Sequence, residues 1–143
     1  MAITTAMCNT FKQELLGGVH DLDTDSLKIA LIKASPVGDY DASTTNYSDL
    51  GVDEATGTNY TAGGQALDSA TITLSGTTAF VDFADEVFSN LTISADGALI
   101  YNTSQANKAI AVFSFGTTVT STAGDFTVIF PAADASNAVI RIT

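Results

Sequence analysis

The sequence predicts an all-β chain, a single-domain β-sandwich or jelly-roll-like barrel carrying one short N-terminal α-helix. Three observations lead there. From Gln65 onward, short apolar runs recur at intervals of about ten residues with turn-forming residues between them, the pattern of antiparallel all-β domains. In the stretch GALIYNTSQANKAIAVFSFG, residues 97–116, two apolar runs flank a polar connector from Asn102 to Lys108, which reads as a β-hairpin. Its second run is apolar on both alternating faces, with Ala109, Ala111, Phe113 and Phe115 on one and Ile110 and Val112 on the other, so it is expected mid-sheet and covered on both sides.

The elements follow in chain order. Thr4 and Thr5 are candidate helix caps, and Met7, Phe11 and Leu15 recur at a spacing of four, which places them on one helical face. Gly17 and Gly18 supply the left-handed conformation that ends helices. Residues 1–18 thus form an arm and a helix of about three turns, too short to stand alone and expected to dock on its own sheet or on a neighbouring subunit. LKIALIKA, residues 27–34, is the first strand, ended by Pro36 and Gly38. Residues 35–64 are a long polar loop in which Tyr40, Tyr47 and Tyr60 lie among Asp, Ser, Thr, Asn and Gly. Loops of such length in a compact domain commonly bind something, with room for a short helix or strand inside. Further strands are expected at 66–74 and 78–83 around the turn Ser75-Gly76-Thr77. Another covers 87–93, followed by a turn at Ala95-Asp96-Gly97, and a Thr/Ser/Gly connector after Gly116 leads to FTVIF at 126–130, with 138–142 closing the chain.

Composition narrows the function classes. The chain has 143 residues, a single-domain length that supports a full hydrophobic core. Its one cysteine, Cys8, allows no internal disulfide and reads as a small buried apolar residue. A net charge of −11, with Lys12, Lys28, Lys33, Lys108 and Arg141 as the cations, has the wrong sign for nucleic acid or for an anionic membrane surface. Such acidity keeps a protein soluble at high copy number or draws it to a basic partner. No stretch is long enough to span a membrane, the start lacks the features of a signal peptide, and the mature chain is expected to begin at or near Met1. The sequons at Asn46, Asn59, Asn90 and Asn102 then read as chance in a chain rich in Asn, Ser and Thr.

No constellation carries chemistry. Asp21, Asp23 and Asp25 open like a calcium loop, but Ser26 stands where the loop needs glycine and Ile32 where its bidentate glutamate belongs, so a solvated acidic turn is expected. His20, the only histidine, reads as a partly exposed residue past the helix end. Gly17-Gly18 and Gly63-Gly64 lack the lysine and the strand-to-helix setting of a phosphate loop. The expectation is no enzyme, with no catalytic residue, metal or cofactor.

The opening MAITTAMCNTFKQELLGGVHD, the internal NYTAGG, GALIYN and KAIAVFSFG, and the close STAGDFTVIFPAADASNAVIRIT resemble a family of small virion structural proteins from tailed bacteriophages. The resemblance covers nearly the whole length. It implies a high-copy structural protein of the phage particle, in the first place a capsid decoration or cement protein on the head exterior, bound to the major capsid protein and often trimeric. The contact residues proposed with it are Ile3, Met7 and Phe11 in the arm and helix and Tyr40, Tyr47 and Tyr60 in the loop, because aromatic anchors in a polar surround dominate such interfaces. The alternatives are a neck or tail component, such as a tube, adaptor or fibre-base subunit, and a glycan- or calcium-binding adhesion module.

Overall fold

The computed structural model describes residues 2–143; Met1, the expected start of the mature chain, lies outside the described residues. The chain order is β1 (Ala6–Met7), α1 (Asn9–Leu16), β2 (Leu27–Lys33), a 3₁₀ segment (Tyr47–Asp53), β3 (Gln65–Ala66), β4 (Thr71–Ser75), β5 (Thr78–Asp82), β6 (Glu86–Asn102), a 3₁₀ turn (Thr103–Gln105), β7 (Lys108–Val128) and β8 (Ile140–Ile142). The strands form two antiparallel sheets, one ordered β1-β7-β6-β2-β3 and the other β4-β5-β8.

The hairpin singled out in the sequence is the spine of the larger sheet. Ala98, Leu99, Ile100 and Tyr101 of β6 and Ala109, Ile110, Ala111 and Val112 of β7 are buried. β6 lies between β2 and β7, and β7 between β6 and β1, so both runs are mid-sheet, and the burial of consecutive residues in each shows that both of their faces are covered. The connector turns as its composition suggests: the Asn102 side chain accepts from Ser104 N, and Ala106 and Asn107 take positive φ of 54° and 61°. Leu27–Lys33 pairs with β6 and matches the expected first strand to within a residue.

Both hairpin strands run much further than expected. Ala95-Asp96-Gly97 is an irregularity inside β6, where the register shifts against β7, and the runs on either side of it are one strand. Asp96 keeps it in the sheet by accepting from Ser35 N at 2.8 Å and from the Thr118 hydroxyl. The Thr/Ser/Gly segment after Gly116 is likewise strand, part of a β7 that continues to Val128. Its polarity suggested a connector, but threonine is β-branched and suits an exposed sheet surface. Gly116 and Ala123, at φ of 76° and 48°, mark where its regular geometry breaks.

Smaller corrections concern the ends. Ala6 and Met7 pair with Val112 and Ala111, so Met7 is a strand residue, not part of the helical stripe. The helix begins after Cys8, which makes no side-chain cap, and Thr4 and Thr5 do not cap it. The stretch 66–74 divides into β3 and β4 around Ser69, whose φ is 56°. The Ser75-Gly76-Thr77 connector joins β4 to β5 as expected, with Gly76 at φ 60°.

The helix docks within its own chain. Cys8 N donates to Ile110 O at 2.9 Å, and Cys8 and Phe11 are fully buried in a core that also takes residues from both sheets. Burial first, and then the carboxylates of Asp49 and Asp41, push the Cys8 thiol up to about 12, which makes it inert as a nucleophile. Among the described residues no helix is long and apolar enough to cross a membrane.

Candidate functional site

Asp53 closes the 3₁₀ segment and Glu54 follows it in extended backbone, and their carboxylates reach different sets of partners that together organise the 35–64 loop. Asn46 starts the segment by accepting from Ser48 N at 3.0 Å, while Asp49 reaches back to Asn46 N at 3.1 Å. Ala55 N then donates to Leu31 O, which fastens the loop to β2 and fixes where the two carboxylates point.

Asp53 is buried and accepts from Val37 N at 3.0 Å, Gly38 N at 2.7 Å and the Tyr40 hydroxyl at 2.8 Å, with the Lys33 ammonium 2.8 Å away. Burial alone would raise its carboxyl, but the lysine, the two amides and the tyrosine outweigh that and hold it well below the usual carboxylate range. Glu54 accepts from the hydroxyls of Tyr47 at 2.6 Å and Tyr60 at 3.0 Å and from Gly63 N at 2.6 Å. Tyr60 in turn accepts from Leu31 N at 2.9 Å, and Tyr101 donates to Gly63 O at 2.6 Å. Burial, and with it the neighbouring carboxylates, push the Tyr40, Tyr47 and Tyr60 hydroxyls above the ordinary tyrosine range.

These contacts turn the loop tyrosines, expected at the surface as anchors, towards the chain's own sheet and carboxylates, with Tyr40 buried and Tyr47 and Tyr60 half-buried. The Tyr40 ring is buried, Tyr47 stacks on Tyr101 with centroids 4.6 Å apart, and Tyr60 stacks on Phe88 at 5.9 Å. Phe11 is also interior, its ring 5.0 Å from that of His20. Met7 packs partly buried against the core, and Ile3 lies in a bridge with Tyr40 while Thr4 N donates to Tyr40 O. All six make contacts that tie arm, helix or loop to the rest of the chain, Phe11 and Tyr40 buried and Ile3, Met7, Tyr47 and Tyr60 half-buried. Spacing could not reveal this, because an aromatic ring on a polar loop has the same sequence signature whether it points in or out. The hydroxyls make the clamp testable: Tyr60→Phe removes one hydrogen bond to Glu54 and leaves Leu31 N unpaired. It is expected to lower stability by about 1–3 kcal/mol, read from the urea midpoint.

His20 differs from its expected exposure in the same way. It is buried, with Nε2 2.7 Å from Glu14 Oε2 and Nδ1 3.0 Å from Asn102 Nδ2. The Asn102 amide also donates to Asp25 Oδ2 at 2.7 Å, and Lys108 Nζ donates to Glu14 Oε1 at 3.2 Å. The amide donor makes Nδ1 the acceptor, so Nε2 carries the proton given to Glu14. Burial raises the Glu14 carboxyl, yet the bonds from His20 and Lys108 prevail and lower it. In the neighbouring acidic turn, Asp25 accepts from Asp21 N and Asp21 from Asp23 N, so backbone amides take up these carboxylates. Among the described residues no group of three or more His, Cys, Asp or Glu side chains is placed to hold a metal ion.

A different surface remains open. Between the end of α1 and the smaller sheet is a hollow of about 380 Å³, lined chiefly by Leu15, Leu22, Ile72, Val81, Ile140 and Ile142, with His20 and Asp21 at its border. Ile72, Leu74 and Ile142 are 55 %, 73 % and 52 % exposed. The available signal was the alternation of Ile72 with Leu74 and of Ile140 with Ile142, which marks one apolar face. What hid it was the usual assumption that an apolar face meets the core of its own domain. Compared with known proteins, the chain matches no family model, no curated protein and no solved structure.

Proposed function

We propose that the chain is a structural protein of a bacteriophage particle, a capsid decoration or cement protein that binds the outside of the head and reinforces it. Its partner in this reading is the major capsid protein, its copies associate as a homo-oligomer of the trimeric kind, and its two sheets form a sandwich or jelly-roll-like body. The observation that carries the reading is the division of labour in the side chains. Asp53, Glu54 and His20 are saturated by internal partners and hold the loop and helix rigid. The apolar end of the smaller sheet is left open for another protein. The resemblance of the chain's segments to small phage virion proteins supplies the particle. An acidic surface that keeps the protein soluble until assembly agrees with it.

Purified heads stripped of this protein are expected to release their contents at lower temperature and at higher salt than intact heads, and adding the protein back restores resistance. Equal resistance of stripped and intact heads would remove the cementing role. Counting copies per particle separates decoration, which covers the capsid lattice, from a neck or tail ring. A rise in melting temperature with calcium or a glycan would instead favour an adhesion module.

A further inference from the structure

His20 joins two elements far apart in sequence, the end of α1 and the start of the β6–β7 turn. Its side chain is fully buried, with Nε2 donating to Glu14 Oε2 and Nδ1 accepting from Asn102 Nδ2. The Asn102 amide is not free to turn round. Its oxygen is held by a donor, Ser104 N, at 3.0 Å, and its nitrogen by an acceptor, Asp25 Oδ2, at 2.7 Å. Exchanging the two would set donor against donor and acceptor against acceptor. Nδ1 can therefore only accept. A hydrogen on it would point at the hydrogens of a fixed amide, and burial keeps water from taking it instead.

The charged groups around the ring keep their charge near neutrality. From α1, Glu14 meets the ring at Nε2 and is shared with the Lys108 ammonium of β7, while the Phe11 ring lies 5.0 Å away. Burial raises the Glu14 carboxyl, but the bonds from His20 and Lys108 prevail and lower it. In the acidic turn, the Asp21 amide and then the Asn102 side chain hold the Asp25 carboxyl below its usual range, and Asp21 and Asp23 are exposed. Among the described residues, those of the smaller sheet that line the hollow beside His20, such as Ile72, Val81 and Ile140, are uncharged. Glu14 and Asp25 thus remain carboxylates, and histidine is the side chain that takes up a proton between about pH 8 and pH 5. Glu14 accommodates that charge through Nε2, leaving the second hydrogen on Nδ1 to face Asn102. We propose that His20 is an acid-operated latch: protonation at Nδ1 sets donor against donor, so the ring stays with Glu14 while its bond to Asn102, and with it this tie between the end of α1 and the β6–β7 turn, opens.

The test is nuclear magnetic resonance of the purified, isotope-labelled full chain, titrated from about pH 8 to pH 5. At the alkaline end the ring is expected to carry its one proton on Nε2. As it takes the second, the through-space signal between the ring and the Asn102 amide should fade. Exchange of the Asn102 side-chain amide, corrected for its intrinsic pH dependence, should rise about tenfold, as for the loss of one hydrogen bond. Asn102→Asp keeps the acceptor for Ser104 N and offers Nδ1–H an acceptor as well. In that variant His20 is expected to hold its proton to a pH about one to three higher than in the parent, with the ring and the new carboxylate in contact while it does. A ring still neutral at about pH 5, an Asn102 amide indifferent to the titration of His20, or unfolding of the whole chain in step with it overturns the inference. So does an Asn102→Asp variant whose His20 titrates as the parent's does. If Asn102→Asp fails to fold beside Asp25, the titration of the parent alone decides.

Discussion

Asp53→Ala is expected to lower folding stability by about 3–5 kcal/mol, because three donors around a buried carboxylate lose their acceptor at about 1–3 kcal/mol each, while Lys33, whose side chain is 32 % exposed, still reaches water. The loss is larger than one salt bridge at the surface would cause, because the Val37 and Gly38 amides and the Tyr40 hydroxyl lose their acceptor together with Lys33. Urea unfolding of the two proteins measures it, and a loss below about 1 kcal/mol, the scale of an exposed pair, would show that the carboxylate does not organise the loop. The pH dependence has a definite sign. The folded-state carboxyl is held below its unfolded value, so its contribution is fully present above about pH 3.9 and is lost as pH falls towards the folded value. Asp53→Asn, which cannot ionise, should therefore lose stability at neutral pH and show a flatter decline between about pH 4 and pH 2 than the parent.

Gly64→Ala is expected to cost about 2–5 kcal/mol, combining left-handed strain with an overpacked contact. Gly64 has φ +75°, and a Cβ there would meet the Ile29 carbonyl, with its carbon at 2.6 Å and Ala30 Cα at 2.8 Å. These are backbone atoms of β2, so the collision can be relieved only by lifting the loop end off the sheet and opening the pairing of Gln65 with Ile29. Gly18→Ala is the control. Gly18 has nearly the same φ, +72°, but no atom within 4 Å of a built Cβ, so only the strain of about 1–2 kcal/mol remains. Equal melting temperatures for the two variants would mean that the close approach at β2 contributes nothing.

Both predictions concern a loop whose logic local sequence conceals. Its length and its tyrosines are visible along the chain. The pairing of Tyr40 with Asp53 and of Tyr47 and Tyr60 with Glu54 is not, because each joins residues 6 to 13 positions apart through a turn of particular geometry. The strands show the same contrast. The β6–β7 turn was legible because Asn102 and Asn107 carry turn chemistry in their own side chains. The irregularity at Asp96 was not, because Ser35 and Thr118, both distant in sequence, decide that those residues stay in the sheet.

The amino-acid order by itself determined that the protein is β-rich, where the central hairpin turns, where the first strand lies and that a short helix stands near the N-terminus. Each depends on hydrophobic alternation or on the conformational preference of a few neighbouring residues. Only the tertiary structure decided which polar and aromatic side chains face inward, that Ala95-Asp96-Gly97 continues a strand, and which apolar face stays uncovered. Those outcomes depend on what the rest of the chain brings alongside, and a one-dimensional pattern has no term for that.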